Sequence, residues 1–224
     1  MSVFGTRVIA PPVVLNLTIA NVVVFLATEL LGNDMIEFAL FNVDLRYISP
    51  DATLFKWWQP VTYMFMHGGF SHLFFNMFSL WMFGRVLEYE MGWKRFITYY
   101  IVCGVGAALF QMCVAQLDLA RLEVGSPMWY AYMSTPTVGA SGAIFGLLLA
   151  FGLLHPREII SFIFPPIEME ARWFVILYGT LELFLGVSGT MDNVAHFAHL
   201  GGMFWGWLLM LWWRHRDRKR IYYY

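Results

Sequence analysis

The chain has 224 residues, 59% of them hydrophobic and 13% charged, with a formal net charge of −1 and a mean hydropathy of +0.61. Such values lie outside the range of soluble domains and describe a polytopic membrane protein, with no charge excess to attract nucleic acid or an acidic partner. Spans of about 20 residues each, with their connections, nearly exhaust the length. This leaves room for one helical bundle over 1–224 and for no separate soluble domain.

Hydropathy gives six segments, 11–31, 70–90, 95–116, 138–155, 172–190 and 196–213, so the predicted fold is an all-α bundle of six transmembrane helices. The first is preceded only by Arg7 and ends at Glu29-Leu30-Leu31-Gly32 without a small-residue cleavage site, so it reads as a retained span rather than a signal peptide. Residues 32–69 form a long excursion that is too aromatic for a freely solvated loop, and it is placed partly in the membrane interface. In the second segment His72, Asn76 and Ser79 fall at i, i+4 and i+7 and make one polar stripe. The third holds both cysteines, Cys103 and Cys113. Ten residues of helix separate them by about 15 Å, too far for a disulfide.

After the loop 117–137, the fourth segment begins beside Ser141, with Gly142, Gly146 and Ala150 forming a groove of small residues. The loop 156–172 leads to the fifth segment, where Glu182 is an isolated acid, read as protonated or paired with a neighbouring helix rather than catalytic, with a gating role left open. A tight connection, 187–193, leads to the sixth, in which Ala195, His199, Gly202 and Gly206 share a face. Small residues every four positions let helix backbones approach in lipid. Packing segment four on segment six therefore brings Ser141 towards His199.

Charge sets the orientation. With both termini, the 85–95 turn and the 156–172 loop on one side, that side carries Arg7, Arg85, Lys94, Arg95, Arg157, Arg172 and the cations of the tail RHRDRKR. The other side carries only Arg46, Lys56 and Arg121, so the positive-inside rule predicts cytoplasmic termini. Tryptophans near the segment ends read as interfacial anchors, and the basic tail as an orientation signal and headgroup contact.

Three polar clusters then stand out in apolar surroundings: His72 with Asn76, Ser141 in Gly139-Ala140-Ser141-Gly142, and His199 in Ala198-His199-Leu200-Gly201-Gly202. Singly, a membrane serine or glycine is a packing residue and a lone histidine a satisfied hydrogen-bonding group. All three lie at similar depth near the non-cytoplasmic ends of their segments, which implies a shared, water-accessible cavity. Polar groups at such depth are costly and mark function. Serine attack on an amide needs a base to take its proton and donors to hold the developing oxyanion. Gly139 and Gly142 clear side-chain bulk from beside Ser141. Near His199 in sequence the only acid is Asp192, outside the segment, so the site reads as a dyad with imidazole orientation left to packing.

The motifs resemble those of the rhomboid intramembrane serine proteases over the whole six-helix core. HxxxN is matched by His72 to Asn76, GxSG by Gly139 to Gly142, AHxxGxxxG by Ala198 to Gly206, and ExxxG, whose glutamate is structural in that family, by Glu88 to Gly92. The resemblance implies Ser141 as nucleophile and His199 as general base. It implies His72, Asn76 and the Ser141 backbone N–H as oxyanion donors, with Gly139, Gly142, Phe145, Gly202 and Gly206 in support.

Two positions depart from that family's pattern. Phe145 stands where many members have a tyrosine that stacks on the catalytic imidazole, and its ring can still stack without the hydroxyl contact. Trp58-Gln59 replaces a Trp-Arg pair, a loss of the guanidinium expected to change how the first loop is anchored. His67 occupies a position where the family often carries a histidine packed at the cavity, and segment five corresponds to its proposed substrate gate.

His67, His72, His196 and His199 also raise a zinc reading. The absence of HExxH and of an accompanying cysteine or carboxylate argues against it, so neither metal nor cofactor is expected. The expected partners are transmembrane protein substrates and the bilayer, with no nucleic acid. The expected location is multi-pass in a membrane, and the short chain suggests a prokaryotic plasma membrane. The rival readings are a non-proteolytic rhomboid-like protein that binds client transmembrane segments, although such relatives lack the serine or histidine, and a transporter, for which no internal repeat is visible.

Overall fold

The computed structural model describes residues 11–47, 54–162, 167–188 and 195–221. Arg7 and the 187–193 connection past Ser188, Asp192 included, lie outside the described residues. Each of the six apolar segments coincides with helix: α1 (Pro12–Leu31), α3 with α4 (Phe70–Ser79 and Arg85–Met91), α5 (Trp93–Leu119), α7 (Ser141–Leu154), α8 (Ala171–Ser188) and α9 (His196–Ile221). Among the described residues α1, α5 and α8 are long and apolar enough to cross a membrane, and α7 is a shorter apolar helix.

The connections hold more structure than hydropathy conveys. A four-residue helix, α2 (Gln59–Thr62), continues into a 3₁₀ turn before α3, and α6 (Pro127–Ser134) occupies the 117–137 loop. Pro127 opens α6, where its missing N–H is no loss, and Ser126 caps it by accepting from the Trp129 N–H at 3.2 Å. The loop after α7 carries a hairpin of β1 (Ile159–Phe162) and β2 (Ile167–Glu170), antiparallel with Ile159 opposite Glu170. Segment two is one helix interrupted by a π-helical stretch, Leu80–Gly84, which joins α3 to α4.

Glu88 explains how the first helix is fixed. The leading N–H groups of a helix have no partner within it. Here the buried Glu88 carboxylate accepts from Val13 N at 2.9 Å and Val14 N at 2.8 Å, capping α1 from α4 with negative charge at the positive end of the dipole.

The centre of the molecule is α5, α7 and α9, packed through small residues. A Cβ on Gly202 would overlap the Gly142 carbonyl, one on Gly146 would strike the Cys103 side chain, and one on Gly206 the Tyr99 ring. Tyr99 Oη donates to the Gly146 carbonyl at 2.9 Å, tying α5 to α7. These contacts bring the N-terminal ends of α7 and α9 together. Helix α8 packs on α9 and α7 from one side and buries only Ala171, Phe174, Val175 and Glu182, leaving Trp173, Ile176, Leu177, Leu183, Phe184 and Val187 exposed.

Candidate active site

Ser141 is the first residue of α7, and the chain leading to it is held from both sides. Leu40 and Thr137 exchange backbone hydrogen bonds of 3.0 and 2.8 Å, and Gly139 N donates to the Tyr63 carbonyl at 3.0 Å. Tyr63 is itself fixed, its hydroxyl donating to the Gly104 carbonyl at 2.7 Å. At this position the Ser141 N–H belongs to the unpaired first turn of the helix, where the dipole favours negative charge.

The Ser141 hydroxyl reaches His199, with Oγ 2.7 Å from Nε2. His199 is the fourth residue of α9 and is buried. The Phe145 ring, one turn after Ser141, lies parallel to the imidazole, with centroids 4.3 Å apart and planes 6° apart. The stacking expected at this position is thus present, with a phenyl ring and no hydroxyl. In the tautomer in which Nε2 accepts from the serine, Nδ1 is the ring nitrogen that carries hydrogen.

His72 stands on the other side of Gly139. A Cβ at Gly139 would lie 2.8 Å from His72 Nε2 and 3.5 Å from Ser141 Oγ, so the glycine separates the two groups without filling the space between them. The Gly68 N–H donates to His72 Nδ1 at 3.4 Å, which leaves Nε2 as the protonated, donor nitrogen. Asn76 is buried one turn further on, and one of its two amide hydrogens goes to the His72 carbonyl at 3.0 Å. His67 lies edge-on to His72 with ring centroids 5.1 Å apart. The Gly68 contact was not read from the sequence; the Gly68-Gly69 pair before HxxxN was its only signal.

One departure changes how the first loop is held, as expected, and one expectation needs correction. Gln59 does not free that loop. Fully buried, it donates to the Glu37 and Leu54 carbonyls at 2.9 and 3.0 Å and accepts from Phe41 N at 3.1 Å. An uncharged amide suffices because all three partners are backbone groups. Nor is His199 without a carboxylate. Glu182 comes across from α8, with Oε2 2.7 Å from His196 Nδ1 in a hydrogen bond and 2.9 Å from His199 Nδ1 at ion-pairing distance. The second contact lacks hydrogen-bond alignment in this conformation. Glu182 is paired with a neighbouring helix, as one of its readings had it, but its partner was not legible because His199 is seventeen positions away on another helix.

Glu182, His196 and His199 each offer a metal-ligand atom within 4.8 Å of the others. Ligand atoms around a tetrahedral zinc ion stand about 3.3 Å apart. The observed 2.7 and 2.9 Å are shorter than that spacing and are the distances of direct pairing between the carboxylate and each imidazole.

The fold and the site together define a helical integral membrane protein with a serine and an imidazole in contact at one end of its helix core. The Rhomboid domain model matches residues 54–216. The chain is 34% identical to RHOMBOID-like protein 5 of Arabidopsis thaliana over 155 residues, 69% of this chain and 44% of the relative. It is 30% identical to putative rhomboid protease YdcA of Bacillus subtilis over 156 residues, 69% of this chain and 66% of the relative. It is 26% identical to rhomboid protease AarA of Providencia stuartii over 174 residues, 77% of this chain and 60% of the relative. The chain belongs to the rhomboid family. It spans about two fifths to two thirds of the length of these relatives. With plant, bacterial and yeast mitochondrial members among its relatives, it is assigned to a membrane without restriction to a prokaryotic one.

Proposed function

We propose that this protein is an intramembrane serine endopeptidase that hydrolyses peptide bonds in or beside the transmembrane helices of membrane-protein substrates. The observation that carries this reading is the 2.7 Å contact between Ser141 Oγ and His199 Nε2 at the start of α7. Ser141 attacks the scissile carbonyl as His199 Nε2 takes its proton. The oxyanion is held by the Ser141 N–H, His72 Nε2–H and the Asn76 amide, and the same proton then passes to the leaving amine. Water repeats the sequence on the acyl-enzyme. A membrane helix hides its carbonyls in hydrogen bonds, so substrates must unwind locally and carry Gly, Pro or polar residues near the outer end of their span.

In this reading residues 1–224 form one bundle of six spans, with both termini cytoplasmic and the site open to the opposite face. The test is cleavage of a transmembrane substrate in proteoliposomes together with labelling by a fluorophosphonate. Wild type cleaves and labels, while Ser141→Ala does neither yet melts at the same temperature. Residual cleavage by pure Ser141→Ala, or no labelling of folded wild type, would transfer the assignment to a non-proteolytic protein that binds client transmembrane segments.

A further inference from the structure

Phe145 stacking fixes the plane of the His199 ring at 6°, but a parallel stack permits rotation within that plane and does not select a tautomer. Two in-plane contacts would fix both. Ser141 Oγ makes one on Nε2, and Glu182 Oε2 stands at the other nitrogen, 2.9 Å from Nδ1. Glu182 is itself anchored, since His196 Nδ1 donates to the same oxygen at 2.7 Å. All three side chains are buried, with Glu182 8%, His196 6% and His199 9% exposed.

We propose that Glu182 is a positioning residue for the proposed protease reaction, the third member of a Ser141–His199–Glu182 relay in which it holds the Nδ1–H tautomer of His199. The inference rests on the endopeptidase reading above and deepens it. The proton balance is closed. The Ser141 proton moves to His199 Nε2 as the Oγ–C bond forms, and Nδ1 keeps its proton throughout, facing Glu182. The Nε2 proton leaves with the amine when the C–N bond breaks. Glu182 never takes the proton; its negative charge offsets the imidazolium while that exists. The imperfect alignment at 2.9 Å does not exclude this role, because catalytic hydrogen bonds in unliganded enzymes tighten when substrate binds. His196 serves as the anchor that keeps the carboxylate from rotating away.

The competing role is purely structural, with Glu182 docking α8 onto α9 through His196. A small soluble fluorophosphonate separates the two, because its reaction needs an activated serine but no movement of α8 to admit a transmembrane helix. The experiment compares labelling rate, kcat, KM and melting temperature for wild type, Ser141→Ala, Glu182→Gln and Glu182→Asp. The expected result is that Glu182→Gln, similar in size but uncharged, lowers both labelling rate and kcat by about 10²–10⁴-fold with KM nearly unchanged. Glu182→Asp restores part of the loss. Labelling of folded Glu182→Gln at the wild-type rate, with or without a raised KM, overturns the proposal, as does failure of both Glu182 variants to fold. Failure of wild type to label overturns the protease reading itself, so the two are told apart.

Discussion

Gly139 has φ +125 and lies between His72 Nε2 and Ser141 Oγ, where a substrate oxyanion must sit in the proposed reaction. A methyl group there has two separable effects. The backbone conformation disfavours any Cβ by about 1–2 kcal/mol, a drop of about 2–8 °C in melting temperature for a chain of this size. The methyl also occupies the space beside the donor, and loss of one such donor typically lowers turnover by about 10²–10³-fold. Gly139→Ala is therefore expected to remain folded and lose cleavage by at least that factor, measured as kcat beside a melting curve; near-normal kcat would remove His72 from the oxyanion site. The adjacency of Ser141 and His199 was legible because motif residues and small-residue stripes share helix faces. Pairing of Glu182 with a neighbouring helix was one of its readings, but its partners were not legible, since no periodicity within α8 says which residue of α9 it meets. For a related reason the sequence shows that Gln59 lacks the guanidinium but not the three backbone partners that its amide satisfies.

Helix by helix, the site depends on how closely α7 and α9 approach. Gly202 is the point of closest packing, and even an alanine Cβ would overlap the Gly142 carbonyl, which is backbone and cannot turn aside. Gly202→Ala is expected to separate the helices, destabilise the bundle by about 1–3 kcal/mol and reduce cleavage by lengthening the Ser141–His199 contact. Gly179→Ala on α8 is the matched control, because its Cβ would first meet the mobile end of Met203, 3.3 Å away. Equal melting temperatures for the two variants would show that the α7–α9 approach is not what holds the centre together. The helices themselves were readable from hydropathy, except that α9 runs on to Ile221, past the predicted end at 213, because its last turns are the charged tail that hydropathy does not count as a span. The β1–β2 hairpin, α2 and α6 were not, because each is too short to stand out from an apolar background, and their order comes from caps and long-range backbone partners.

In the molecule as a whole, the end that carries Ser141 is closed by the first loop, the last turn of α5 and α6. Buried Asp44 is the junction. Its carboxylate accepts from Arg46 at 2.7 Å and from Trp129 Nε1 at 2.8 Å, while Arg46 also donates to the carbonyls of Leu119 and Leu122. Gln116 on α5 adds contacts to Leu45 N and the Val43 carbonyl. The Arg46 hydrogen bond, followed by that from Trp129, outweighs burial and lowers the Asp44 carboxyl to about 2. A depressed carboxylate contributes stability that is fully present above its unfolded value near 3.8 and lost as pH falls towards 2. The contribution is ~2 kcal/mol, or about 30-fold in local protection. Amide exchange of detergent-solubilised protein is expected to show protection at Arg46 N, which donates to Asp44 at 2.9 Å, declining between about pH 4 and 2. In Asp44→Asn the protection should already be low at neutral pH and show no acid step. Protection that persists unchanged to pH 2 would mean that backbone pairing, such as that of Leu40 with Thr137, closes this end without the ion pair. The Ser141 segment would then be held independently of Asp44 charge.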